Sequence, residues 1–112
     1  MIDGYRFGRF EFNGKEYTSD VIIHSGKVTS WWRVTGHSVA REDIEKLVSE
    51  KPAVIVIGPG ANGLMKVPEA TRRFIENSGI ELIVEETAEA VQTFNRLQAD
   101  GADVAIAMHL TC

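Results

Sequence analysis

One stretch constrains this chain more than any other. Ala53-Val54-Ile55-Val56-Ile57 is an unbroken apolar run, mostly β-branched, and it passes directly into Gly58-Pro59-Gly60-Ala61-Asn62-Gly63. A short continuous run of this kind predicts a strand buried on both faces, the environment of a parallel sheet covered by helices. Open α/β sheets hold their ligands at the carboxyl ends of such strands, so the glycine-rich loop is the first candidate site.

The flanking sequence supplies the partners such a strand needs. Upstream, Phe7, Phe10 and Phe12 fall among polar residues and lead to Asn13-Gly14, a strong hairpin signal. Lys15-Glu16-Tyr17 is the predicted return strand. The stretches 21–24 and 27–34, joined by Ser25-Gly26, predict a second antiparallel pair. The period then changes. Ser38 is the expected cap of a helix whose inner face carries Ala40, Ile44, Leu47 and Val48. Pro68 opens a second helix with Ala70, Phe74 and Ile75 inward, and Gly79 is placed to close it as a left-handed cap. Residues 80–84 read as a strand. Thr87 is the expected cap of a third helix that turns Ala90, Val91, Phe94 and Leu97 inward, and 103–110 form the last strand. A β-rich first third followed by alternating helices and strands predicts a largely parallel sheet.

A chain of 112 residues is one domain, spanning 1–112. With 44% hydrophobic and 25% charged residues it can build a core and is not a disordered chain. The net charge is −4 and Lys and Arg are not clustered, which speaks against nucleic acid as a partner. No apolar run approaches the roughly 18 residues needed to span a bilayer, so no membrane association is expected. Met1 leads into Asp3 without an apolar leader segment, and the lone cysteine, Cys112, fits a reducing compartment. Cytoplasmic location is the expectation.

The loop spells G-x-G-x-x-G through Gly58, Gly60 and Gly63, and Glu85 follows at the end of the next strand, as a ribose-binding acid would. The helix start does not fit. Leu64-Met65-Lys66-Val67 separate the glycines from Pro68, so the third glycine is not where a helix begins to receive a pyrophosphate. The phosphate-loop pattern fails as well, because Leu64 and Met65 stand where Lys and Ser or Thr belong. The glycines then serve as a sharp exit from a buried strand and as a candidate pocket wall, with Pro59, Asn62, Glu85, Thr87 and His37 as further lining. His24, His37 and His109 form no metal pattern with Cys112, and no metal or cofactor is expected. Trp31-Trp32-Arg33 is a candidate interaction surface. Adjacent strand residues face opposite ways, so one tryptophan is expected in the core, and its neighbour either packs under a helix or is exposed to bind a partner.

Taken together, Trp31-Trp32-Arg33, Gly36-His37, the strand leading into Gly58-Pro59-Gly60, Thr87 with Ala90, Phe94-Asn95, and the terminal His109-Leu110-Thr111-Cys112 form an ordered set that resembles the Mth938-like family of unknown function. That family also contains an adipogenesis-associated protein and a mitochondrial assembly factor for respiratory complex I. The resemblance covers essentially the whole chain and is to the stand-alone prokaryotic members. It differs at Gly58-Pro59-Gly60, where many members carry Gly-Thr-Gly, which removes a hydroxyl and an N–H from the loop. The resemblance implies a three-layer α/β fold with a central mixed, mostly parallel sheet flanked by helices. It also implies an N-terminal antiparallel β-hairpin layer and a final strand running against the others. It implies no enzyme activity. The expected role is a non-catalytic binding or protein-interaction module, acting as a homodimer or with an unidentified protein partner. The alternative is a small-molecule or nucleotide-binding protein, or a small enzyme, using the 58–63 loop.

Overall fold

The computed structural model describes all residues from Met1 to Cys112. Three short strands open the chain: β1 (Ile2–Arg6), β2 (Arg9–Phe12) and β3 (Lys15–Tyr17). They form a separate antiparallel sheet in that order. Asn13 and Gly14 both take positive φ between β2 and β3, the conformation a two-residue hairpin turn demands and the reason this dipeptide marks one. The strand β1 has no alternating pattern in sequence, and it is additional to the expected hairpin.

Strands β4 (Val21–His24) and β5 (Lys27–Ser30) follow, then helix α1 (Arg41–Ser49), β6 (Val54–Pro59), α2 (Glu69–Asn77), β7 (Glu81–Val84), α3 (Thr87–Ala99) and β8 (Val104–His109). Five of these strands make the central sheet in the order β5-β4-β8-β6-β7. The pairs β6·β7 and β6·β8 are parallel, while β4 is antiparallel to both β5 and β8. The last strand therefore runs with β6 and β7, contrary to the expectation that it would oppose its neighbours. The reason is α3, a helical crossover long enough to return the chain to the start of the sheet in the same direction. The strand that opposes β8 is β4.

The apolar run that organises the sequence is the middle of this sheet. Every residue of β6 and β8 is buried. Their alternation divides the core in two. Val54, Val56, Ile106 and Met108 face a layer built from α3 and the N-terminal sheet, with Phe10, Phe94 and Val91. Ile55, Ile57, Ala105 and Ala107 face α1 and α2, with Ile44, Leu47 and Ile75. This is the expected three-layer arrangement. Asn95 joins the layers: its amide accepts from the Ile2 N–H at 2.9 Å and donates to the Ile2 carbonyl at 2.8 Å, as a strand neighbour would.

Helix starts differ from expectation in an informative way. The N-cap of α1 is Ala40 rather than Ser38, and Asp43 reaches back to the Ala40 N–H at 2.8 Å in place of a capping side chain. Pro68 lies just outside α2, with Glu69 the first helical residue. Thr87 is the first residue of α3, not its cap, and its hydroxyl is committed elsewhere. The strand β5 stops at Ser30, so Trp31–Arg33 leave the sheet.

Candidate functional site

The topology gathers most of the chemistry-bearing residues at one end of the central sheet. Strands β5, β6, β7 and β8 all finish there and β4 begins there. That end therefore holds Asp20, the segment after β5, the 58–66 loop, Glu85–Thr87 and the residues after β8.

Its centre is a polar cluster on Asp20. Oδ2 accepts from His109 Nδ1 at 2.7 Å and from Arg33 Nη2 at 2.7 Å, while Oδ1 accepts from the Leu110 N–H at 2.9 Å. Burial alone would push the Asp20 carboxyl up. The donors from His109, Leu110 and Arg33 outweigh it and hold the group below the usual carboxylate range. An ionised Asp20 only accepts, so the proton between it and His109 sits on Nδ1. The 3.3 Å approach of Arg33 Nη2 to His109 Nδ1 is then two donors converging on one oxygen.

Arg33 is held from three sides. Its guanidinium carbon lies 4.6 Å from the centre of the Trp31 ring, a cation–π contact, and Nη2 also donates to the Gly36 carbonyl at 3.1 Å. Trp31 is buried and donates its indole N–H to the Asp43 carbonyl at 2.9 Å. Trp32 points the other way and is 87% exposed. The in-and-out pairing expected of adjacent tryptophans is present, although it is made by an irregular segment rather than a strand.

The glycine loop meets the same cluster from behind. Thr87 Oγ1 donates to the His109 carbonyl at 2.8 Å and accepts from the Gly60 N–H at 2.9 Å. Other loop amides are also spent inside the chain: Ala61 N–H on the Thr111 carbonyl, Gly63 N–H on the Gly60 carbonyl and Met65 N–H on the Pro59 carbonyl. Gly60 has φ of +109°, and a Cβ there would lie 2.6 Å from the Cys112 carbonyl oxygen. At Gly58 a Cβ would lie 2.9 Å from Thr87 Oγ1. These two glycines admit the chain's own backbone and side chains at close range, where a dinucleotide loop would admit a phosphate.

The remaining residues singled out from sequence divide between two places. Glu85 is turned to α3, where its Oε1 accepts from Thr93 Oγ1 at 2.5 Å. Asn62 and Gly63 are exposed on the loop, and Pro59 is buried at the end of β6. His37 belongs with the cluster: its ring lies edge-on to His109 at 6.1 Å, and its carbonyl accepts from the Lys66 N–H, tying the 33–38 segment to the 60–66 loop. Two concavities mark the surface, one of about 260 Å³ lined by His24, Lys27, Lys46 and Glu50, the other of about 530 Å³ beside Arg41 and Phe74. Neither is lined by the 58–63 loop.

Asp20 and the side-chain role of His109 carry no motif. The two residues are 89 positions apart and meet only because β4 pairs antiparallel with β8. Asp20–His109 is the orienting half of a general-base pair. No hydroxyl or thiol is hydrogen-bonded to His109 Nε2 to make it a catalytic one.

The architecture is that of a small three-layer α/β protein. The chain belongs to the family of proteins of unknown function DUF498/DUF598, whose model matches residues 2–109. It is similar to a conserved hypothetical protein of Pyrococcus horikoshii, PH1505, at 26% identity and a TM-score of 0.90, over 100% of this chain and 99% of that one. It is similar to MT938 at 32% identity and a TM-score of 0.86, over 100% and 98%. A Bartonella henselae chain described as an outer membrane protein matches at 28% identity and a TM-score of 0.85, over 99% and 94%. In the present chain no helix is long and apolar enough to cross a membrane.

Proposed function

We propose that the protein is a non-catalytic interaction module whose recognition surface is the carboxyl end of the central sheet. The observation that carries this reading is Trp32, a tryptophan 87% exposed on a rigidly backed segment. Its neighbours in sequence, Trp31 and Arg33, are immobilised by the Asp43 carbonyl and the Asp20 carboxylate. A large aromatic side chain presented from a backbone held on both sides is the usual anchor of a protein interface. Val34, and Leu64 on the adjoining loop, are exposed at the same end. The occupant is a protein surface, either a second copy or another chain.

The small-molecule reading receives less support from the geometry. The 58–63 loop directs its amides inward and lines no cleft.

The test compares wild type with Trp32→Ala and with Gln92→Ala, a change on the exposed face of α3. Light scattering reads self-association, and photo-crosslinking from position 64, exposed at the same end, captures other partners. A complex present in wild type and Gln92→Ala but lost in Trp32→Ala supports the reading. A monomer with no Trp32-dependent partner overturns it.

A further inference from the structure

The Asp20 cluster is incompletely satisfied. Arg33 Nε, Arg33 Nη1 and His109 Nε2 are buried and have no hydrogen-bond partner. The side chains that carry them are only 7% and 8% exposed. Buried donors and acceptors without a protein partner are uncommon in folded proteins, and each calls for a partner from outside the chain. All three lie on two side chains that touch each other.

The charges set what would complete the cluster. A guanidinium stays protonated and only donates, so the two free nitrogens of Arg33 require acceptors. Asp20 neutralises one positive charge and engages only Nη2. His109 has Nδ1 fixed on Asp20, which leaves Nε2 as the one nitrogen able to answer a ligand, by accepting a proton from it or by donating when the ring is charged. The missing group is therefore an acceptor, and an anionic one when His109 is protonated, since Asp20 then offsets only one of two positive charges.

We propose that Arg33 and His109 form a receiving site for an oxyanion, a carboxylate or phosphate group carried by a small ligand or by a bound chain. The cover over the site is thin. Residues 34–37 are all exposed and lie outside regular structure. Gly36 is held to Arg33 by its carbonyl, and His37 rests edge-on against His109. Lifting this segment breaks the bonds from the Val34 N–H to Asp43, from the Lys66 N–H to the His37 carbonyl and from Arg33 to the Gly36 carbonyl, and opens the cluster without breaking a pairing between the sheet strands. The site does not depend on the Trp32 surface: anion binding survives Trp32→Ala, so failure of one reading leaves the other standing.

The experiment titrates the protein with acetate and, separately, inorganic phosphate, against sodium chloride at matched ionic strength, following melting temperature and binding heat. The expected result is a saturable rise with one or both oxyanions that chloride does not reproduce. Acetate alone marks a carboxylate site, phosphate alone a phosphate site. His109→Asn preserves a donor at the Nδ1 position for Asp20 and deletes Nε2. It should weaken binding about ten-fold or more, the effect of one charge-assisted hydrogen bond. Should that variant fail to fold, the wild-type comparison against chloride still decides. Equal responses to acetate, phosphate and chloride, or undiminished binding by a folded His109→Asn, overturn the proposal and leave water as the occupant.

Discussion

The two ends of the central sheet each hold a histidine bonded to a carboxylate, and they use its ring differently. At the amino end of β8, His24 places Nδ1 2.6 Å from Glu50 Oε1 and Nε2 2.9 Å from Asp103 Oδ1. Both ring nitrogens face acceptors, so the arrangement is that of an imidazolium, and it ties β4 to the end of α1 and the start of β8. At the carboxyl end, His109 has one nitrogen on Asp20 and the other on nothing. A histidine with every valence used is a staple. One oriented by a carboxylate and then left open has a capacity the fold itself does not consume. The contrast supports the proposal that the carboxyl end is the recognition end.

The largest expected effect comes from breaking the carboxyl end. Asp20→Ala removes the acceptor shared by Arg33, His109 and the Leu110 amide and leaves a buried guanidinium uncompensated. A loss of about 3 kcal/mol in urea denaturation is expected. Next is Thr87→Val, which keeps the shape but deletes the hydroxyl between Gly60 and His109. It should cost about 1–3 kcal/mol, because a buried amide and a buried carbonyl lose their partner.

The pH dependence separates the two ends by sign. Burial alone would push the His24 ring down, but its bonds to Glu50 and Asp103 outweigh that and raise it. A group with a raised folded value stabilises fully below its unfolded value, near 6.5 for histidine, and that contribution is lost as pH rises through the folded value. Asp20, held low, stabilises above its unfolded value near 3.9, and its contribution is lost as pH falls through the folded one. Melting curves should therefore show His24→Gln erasing a loss on the alkaline side, and Asp20→Asn erasing one in acid. The His24 effect is the smaller, since Glu50 and Asp103 are 44% and 58% exposed and salt screens them. Smallest of all is Trp32→Ala, expected within about 0.5 kcal/mol of wild type in stability while abolishing partner binding.

The sequence made the middle of the fold legible because its signals are local. The apolar run before Gly58, the Asn13-Gly14 turn and the Gly79 cap each state a conformation within a few residues, and Gly79 does take φ of +82°. The direction of β8 follows from the helix before it, since a helical crossover returns the next strand parallel; the expectation that it would run against the others came from the family resemblance. The 58–63 loop drew attention as a site because glycines at the end of a buried strand read alike whether they admit a phosphate or the chain's own terminus. The Asp20 cluster was out of reach for a different reason. It is assembled by sheet pairing from three separate segments, and no spacing in the sequence encodes it. Arg33 and His37 were singled out, but the carboxylate that organises Arg33 and His109 was not.

One nuclear magnetic resonance measurement tests the contrast directly. Ring-nitrogen correlation spectra of all three histidines, recorded on the acid side of neutrality, would report both ends at once as inorganic phosphate replaces chloride. The structure predicts His24 with both nitrogens protonated and unmoved, and His109 with a protonated Nδ1 and an Nε2 that shifts as phosphate is added. A His109 Nε2 that ignores phosphate, or a His24 that shifts in step with it, would contradict the division of the molecule into a closed end and a receiving one.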